Sequence, residues 1–176
     1  MSWPVLIAFL ILRAGGGLSA FQGARTQASG ATAPALEDPL QPLSRKVFDL
    51  VNRQRRLHGL GILHWNDSLA RQARLQSTNM MERGFFAHVD PVRGPLALRL
   101  NAAGIHWSRC GENIFREYGM DEPAEEAVEG WMKSPAHRMS VLDPLFSETG
   151  VGIAISPTTE YYITQIFIRP RQSAVP

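Results

Sequence analysis

The sequence predicts an α+β domain in which helices cover an antiparallel sheet. Three observations carry this. Helical periodicity dominates the first part of the chain, two β-branched and aromatic strands come last, and no regular βαβ alternation is present. At 176 residues there is room for one domain with extensions, and a 44% apolar share is enough for an ordinary core.

The elements follow in order. Leu43, Val47, Leu50 and Val51 form the stripe of an amphipathic helix, which Gly59 and Gly61 break. Arg53, Arg55 and Arg56 fall on or near its polar side, where a solvated helix end favoured by the dipole is expected. Asn66-Asp67-Ser68 starts a second helix, and the same triplet reads as a glycosylation acceptor. Leu69, Ala73 and Met80 mark its inward face, with the small Ser77 between them, and Gly84 stops it. Phe85 and Phe86 should enter the core and aim His88. Asp90-Pro91 and Gly94-Pro95 mark an irregular loop. Residues 96–103 read as a short helix closed by Gly104, and residues 105–110 as extended chain. Pro123 suits the first turn of the next helix, capped by Asp121 or Glu122, with Ala124, Ala127, Val128 and Trp131 inward and Ser134-Pro135 at its end. Val151, Ile153 and Ile155 alternate with Gly152 and Ala154, residues 156–160 turn, and residues 161–168 return. Large apolar groups on both faces make this hairpin central.

Residues 1–24 read as a secretory signal peptide. Their apolar run, residues 3–12, is too short for an ordinary span and is followed by Arg13 and small residues, with cleavage near Ala20 or Ala24. Residues 25–42 are a flexible linker rich in Gly, Ala, Ser, Thr and Pro, residues 43–170 the domain, and residues 171–176 a tail. The expected location is secreted, extracellular or periplasmic, with no stable membrane span after signal removal. Net charge is +2, with a pI of about 9.0. No Lys/Arg run or aromatic-basic stripe accompanies it, so a nucleic-acid partner is not expected. Cys110, the single cysteine, has no intramolecular partner and reads as an inert buried thiol or an exposed one open to intermolecular pairing.

The candidate chemistry lies between Gly111 and Arg138, with His88 upstream. Glu112 follows a glycine, Glu125, Glu126 and Glu129 sit on a helix, and His137 lies just past it. Imidazole titrates near neutral pH and is the commonest metal ligand, so two histidines and two glutamates in one cleft suit a metal or proton transfer. Each histidine could equally be held by hydrogen bonds for structure alone. On the helical wheel Glu126 points nearly opposite the apolar face, and periodicity does not prefer it to Glu125 or Glu129.

In order along the chain stand Asn52-x-x-Arg55, Gly59-Leu60, Leu63-x-Trp65, Leu69, Ala73, Met80, Phe86-x-His88, Arg99-x-x-x-Ala103-Gly104 and Gly111-Glu112-Asn113-Ile114. Then come Glu126-Ala127-Val128-x-x-Trp131-Met132-x-Ser134-Pro135-x-His137-Arg138, Gly150-Val151-Gly152 and Thr164-Gln165-x-Phe167. Over about residues 43–169 this string resembles the CAP superfamily (cysteine-rich secretory proteins, antigen 5, pathogenesis-related 1), and most of all its bacterial SCP-like extracellular branch. The resemblance implies an α-β-α sandwich with a central antiparallel sheet. It maps the family's cleft tetrad onto His88, Glu112, Glu126 and His137, with Gln165 beside it, and His88 and His137 as ligands for zinc or another divalent cation. Three departures stand out. Ala136 replaces a glycine, where a left-handed backbone would be costly. Phe115 replaces a small residue and would narrow the cleft. The disulfides of animal and plant relatives are absent.

Three functions follow as expectations. The first is a secreted module whose cleft binds a small or extended extracellular ligand, a lipid, a sterol or an envelope-derived molecule. The second is a divalent-metal-dependent hydrolase in which Glu112 or Glu126 acts as catalytic base. The third is a structural or interaction module whose tetrad only braces the fold.

Overall fold

The computed structural model describes residues 38–171. The expected signal peptide, most of the expected linker and residues 172–176 lie outside the described residues. Among the described residues five helices and four strands run α1 (Gln41–Leu57), β1 (His64–Trp65), α2 (Asp67–Arg83), α3 (Leu96–Ala102), β2 (Trp107–Tyr118), α4 (Pro123–Lys133), α5 (Pro135–Val141), β3 (Glu148–Ile155) and β4 (Glu160–Pro170). The sheet order is β1-β3-β4-β2, so the predicted hairpin is central. β3 and β2 pair antiparallel with β4, while β1 pairs parallel with β3. The sheet is therefore mixed at one edge.

The helix signals act as read. Asn66 caps α2 by accepting from the Ser68 and Leu69 N–H groups, and Gly84 ends it at φ 65°. The Asn66 amide also donates to Glu148 at 2.7 Å, so the would-be glycosylation acceptor is a structural cap. Pro135 begins α5 instead of only ending α4, because proline suits a first helical position. That makes Ala136 helical, and the expected left-handed strain does not arise: Thr159 is the one non-glycine at positive φ among the described residues.

Helices cover both sides of the sheet. α2 and α3 pack on one face, where Leu69, Ala73, Leu100, Ile166 and Ile168 cluster. α1, α4 and α5 pack on the other, around Val47, Val51, Ala127, Val128, Trp131, Val141, Ile153, Ile163 and Phe167. Burying each large apolar side chain contributes roughly 1.5–3 kcal/mol. α2 lies so close to β3 that a Cβ at Gly152 would sit 1.9 Å from the Arg74 nitrogen. Ser77 Oγ fixes the register by donating at 2.9 Å to the Gly152 carbonyl.

Three expectations change, and the first is that Phe86 stays 41% exposed while Phe85 alone packs inward. Arg55 is not a solvated helix end. It is 1% exposed, and it donates to the carbonyls of Gly61, Val141, Asp143 and Phe146 at 2.8–3.3 Å. Phe115 packs with the α4-side cluster, its ring against Gly130.

Candidate functional site

The site is assembled at the outer edge of β2. Cross-strand register places Glu112 opposite Ile166, on the face covered by α2 and α3, and Asn113 opposite Gln165, on the face covered by α1, α4 and α5. Side chains alternate along a strand, so this one edge separates two half-sites.

On the first side the loop between α2 and α3 delivers His88. Phe85 packs beside Met80, Ile114, Ala154 and Tyr162, anchoring the loop where it leaves α2. Gln76 donates to the Ala87 carbonyl at 2.9 Å. Asp90 is buried and closes the loop by accepting from the Val92 and Arg93 N–H groups at 2.8 and 2.9 Å and from the Asn79 amide at 2.7 Å. Burial pushes the Asp90 pKa up, but these hydrogen bonds outweigh it and hold the group below the usual value.

His88 Nδ1 then meets Glu112 Oε1 at 3.0 Å, while Arg99 Nη2 donates to Glu112 Oε2 at 2.9 Å and to the His88 carbonyl at 3.0 Å. The Arg99 and Glu112 side chains are 0% and 3% exposed, whereas that of His88 is 52% exposed. A buried ion pair thus holds an exposed imidazole. Donation of Nδ1–H to the carboxylate turns Nε2 away from Glu112. Beside it lies a pocket of about 350 Å³, lined by Val89, Leu96, Ala97 and Cys110 with His88 and Glu112. Burial, aided by the Glu112 charge, raises the Cys110 thiol pKa, so the thiol stays protonated at neutral pH.

His137 comes from α5, on the second side. Its carbonyl accepts from Asn113 Nδ2 at 3.0 Å. Its imidazole is held below the usual pKa first by burial and second by the charge of His88. Glu126 bonds neither ring: its Oε1 accepts from the Glu122 N–H at 3.4 Å, across the first turn of α4. Gln165 is fully buried and donates to Thr149 Oγ1 at 3.0 Å, inside the sheet.

Two imidazoles and a carboxylate would make a His2Glu set, but Glu112 Oε1 already meets His88 Nδ1 and its Oε2 accepts from Arg99 Nη2. Among the described residues no group of three His, Cys, Asp or Glu side chains is placed to share a metal ion. With Glu112 engaged in this way, the three protein ligands of a catalytic zinc centre are not assembled among the described residues.

Sequence reasoning did not assign roles to Arg99, Asp90 and Asn113. Arg99 stood in a matched motif, but nothing local showed that its guanidinium reaches Glu112, 13 residues away.

The profile of the cysteine-rich secretory protein (CAP) family matches residues 48–167. An uncharacterised membrane protein of Bacillus subtilis, YlbC, is 37% identical over 125 residues, covering 71% of this chain and 34% of that one. A second B. subtilis protein, YkwD, is 36% identical over 108 residues, covering 61% of this chain and 41% of that one. This chain thus spans less than half the length of either relative. Among solved structures, an extracellular SCP-domain protein of Bacillus anthracis superposes with a TM-score of 0.63 at 32% identity, covering 73% of this chain and 41% of that one.

Proposed function

Since this chain belongs to the cysteine-rich secretory protein (CAP) family, we propose that it is an extracellular binding module. Its cleft beside His88 and Glu112 takes a small or extended ligand with an apolar portion, a lipid, sterol or envelope-derived molecule. The observation that supports this best is the exposed imidazole of His88, fixed by the buried Arg99–Glu112 pair at the mouth of a largely apolar pocket. Burying an ion pair is a poor way to gain stability. It is a good way to hold one ring in one orientation, and orientation matters for recognition.

The location draws support from the extracellular B. anthracis relative. Among the described residues no helix is long and apolar enough to cross a membrane.

The test is native mass spectrometry of the purified protein after incubation with an envelope lipid extract. A bound adduct, weakened by His88→Ala with the melting temperature retained, is the expected result. Absence of any adduct, or one indifferent to His88, would sink this reading.

A further inference from the structure

The edge of β2 offers a ligand something that no side chain provides. Gly119 N–H donates to the Thr159 carbonyl at 3.1 Å, and this pair continues the register in which Glu117, Phe115, Asn113 and Gly111 face Tyr161, Ile163, Gln165 and Phe167. Antiparallel ladders alternate hydrogen-bonded and non-bonded pairs. The odd-numbered residues of β2 therefore turn their main chain toward β4, and the even-numbered ones turn it outward. Ile114 agrees, because its carbonyl accepts from Trp131 Nε1 at 3.1 Å, away from β4.

By the same alternation the Glu112 N–H and C=O point out of the sheet, away from β4, the one strand that β2 pairs with among the described residues. Solvent reaches them. The Glu112 side chain is only 3% exposed, yet the residue as a whole is only partly buried, so what remains open is its main chain. An open donor and acceptor on an edge strand are a template for another strand.

The surroundings match such an occupant. The pocket of about 350 Å³ lies on the α3 side of β2, beside Cys110 and Glu112. A second pocket of about 510 Å³, lined by Arg109, Met139, Leu142 and Pro144, lies on the α5 side. Successive side chains of a strand point to opposite faces, so one laid along Arg109–Glu112 would fill the two pockets in turn. Arg138 rims the second pocket, bonds His58 Nε2 at 3.0 Å, and has no carboxylate in ion-pair reach among the described residues. Trp131 closes the ledge at Ile114, which limits the pairing to a few residues.

We infer that the cleft binds a short extended peptide as an added strand on β2. Its main chain pairs with Glu112, its apolar side chains enter the two pockets alternately, and an acidic group lies toward Arg138. This rests on the binding-module reading and specifies its ligand. The probe is acetyl-Asp-Val-Leu-Val-Leu-amide, titrated into the ¹⁵N-labelled full chain to millimolar concentration. Two isomers carry N-methyl groups on alternate residues, odd or even, and dodecanoate serves as the apolar control.

The expected result is a shift of the Glu112 amide resonance, with one N-methylated isomer binding at least about tenfold more weakly and the other retained. Met139→Asp, at an exposed pocket wall, should weaken the peptide several-fold without altering the spectrum of the free protein. A silent Glu112 amide, or equal binding by both isomers, overturns the inference. Dodecanoate binding with Glu112 silent overturns the strand but leaves the binding module standing. Binding of neither probe overturns both.

Discussion

Two arginines are buried among the described residues, and they are buried differently. Arg55, at the end of α1, directs its donors at four main-chain carbonyls and ties that helix to the segment after α5. Arg99, on α3, reaches one carboxylate and one carbonyl, while its Nε and Nη1 stay buried without a partner. The first is a brace whose hydrogen-bonding capacity is used by the fold. The second is committed to Glu112, which holds His88 in the open. The contrast separates a buried charge that stabilises the chain from one that orients a group other molecules can touch.

The largest way to break the contrast is Arg55→Met. It leaves buried carbonyls without donors, at about 1–3 kcal/mol for each that water cannot reach, so a loss of about 4 kcal/mol in denaturant unfolding is expected. The His88 ring resonances should stay where they are. A loss below about 1 kcal/mol would show that the brace is dispensable.

Arg99→Met comes next, at about 3 kcal/mol, because it removes the guanidinium that balances the buried Glu112 carboxylate. Unlike the first variant it should also move the His88 ¹⁵N shifts, since the carboxylate that receives Nδ1–H loses its anchor. Unchanged His88 signals would make Arg99 a second brace.

Smaller still is a pH effect on the other side of the edge. His137 titrates below 6.5 in the folded chain. Above 6.5 the ring is neutral in both states and contributes nothing. Below it the unfolded chain takes up the proton first, so stability declines as pH falls until the folded value is passed. Urea midpoints from pH 7.5 to 5 should decline less in His137→Asn than in the native protein, and equal slopes would refute this. The smallest expected effect is that of chelation. With no group of three ligand side chains placed to share a metal among the described residues, EDTA should leave the melting temperature unchanged, and a marked fall would reveal further ligands.

Legibility in the sequence followed the range of the interaction. α2 was readable end to end, because Asn66 and Gly84 act on their own turns. The β3–β4 hairpin was readable from alternation. β2 was seen only at its start: polar Glu112, Asn113 and Arg116 interrupt the apolar pattern of a strand whose partners lie far along the chain. Arg55 looked solvated because its acceptors at Val141, Asp143 and Phe146 are more than 80 residues away. Motif order groups His88, Glu112 and His137, yet no local rule says that β2 passes between them.

The sequence by itself determined the order of helices and strands, the central hairpin and the residue types available for a site, because caps, turns and periodicity are set by near neighbours. Only the tertiary structure decided which carboxylate meets which imidazole, which arginine is consumed by the fold, and that the Glu112 main chain lies open. Those facts depend on strand register and helix placement, and both arise when distant segments pack against one another.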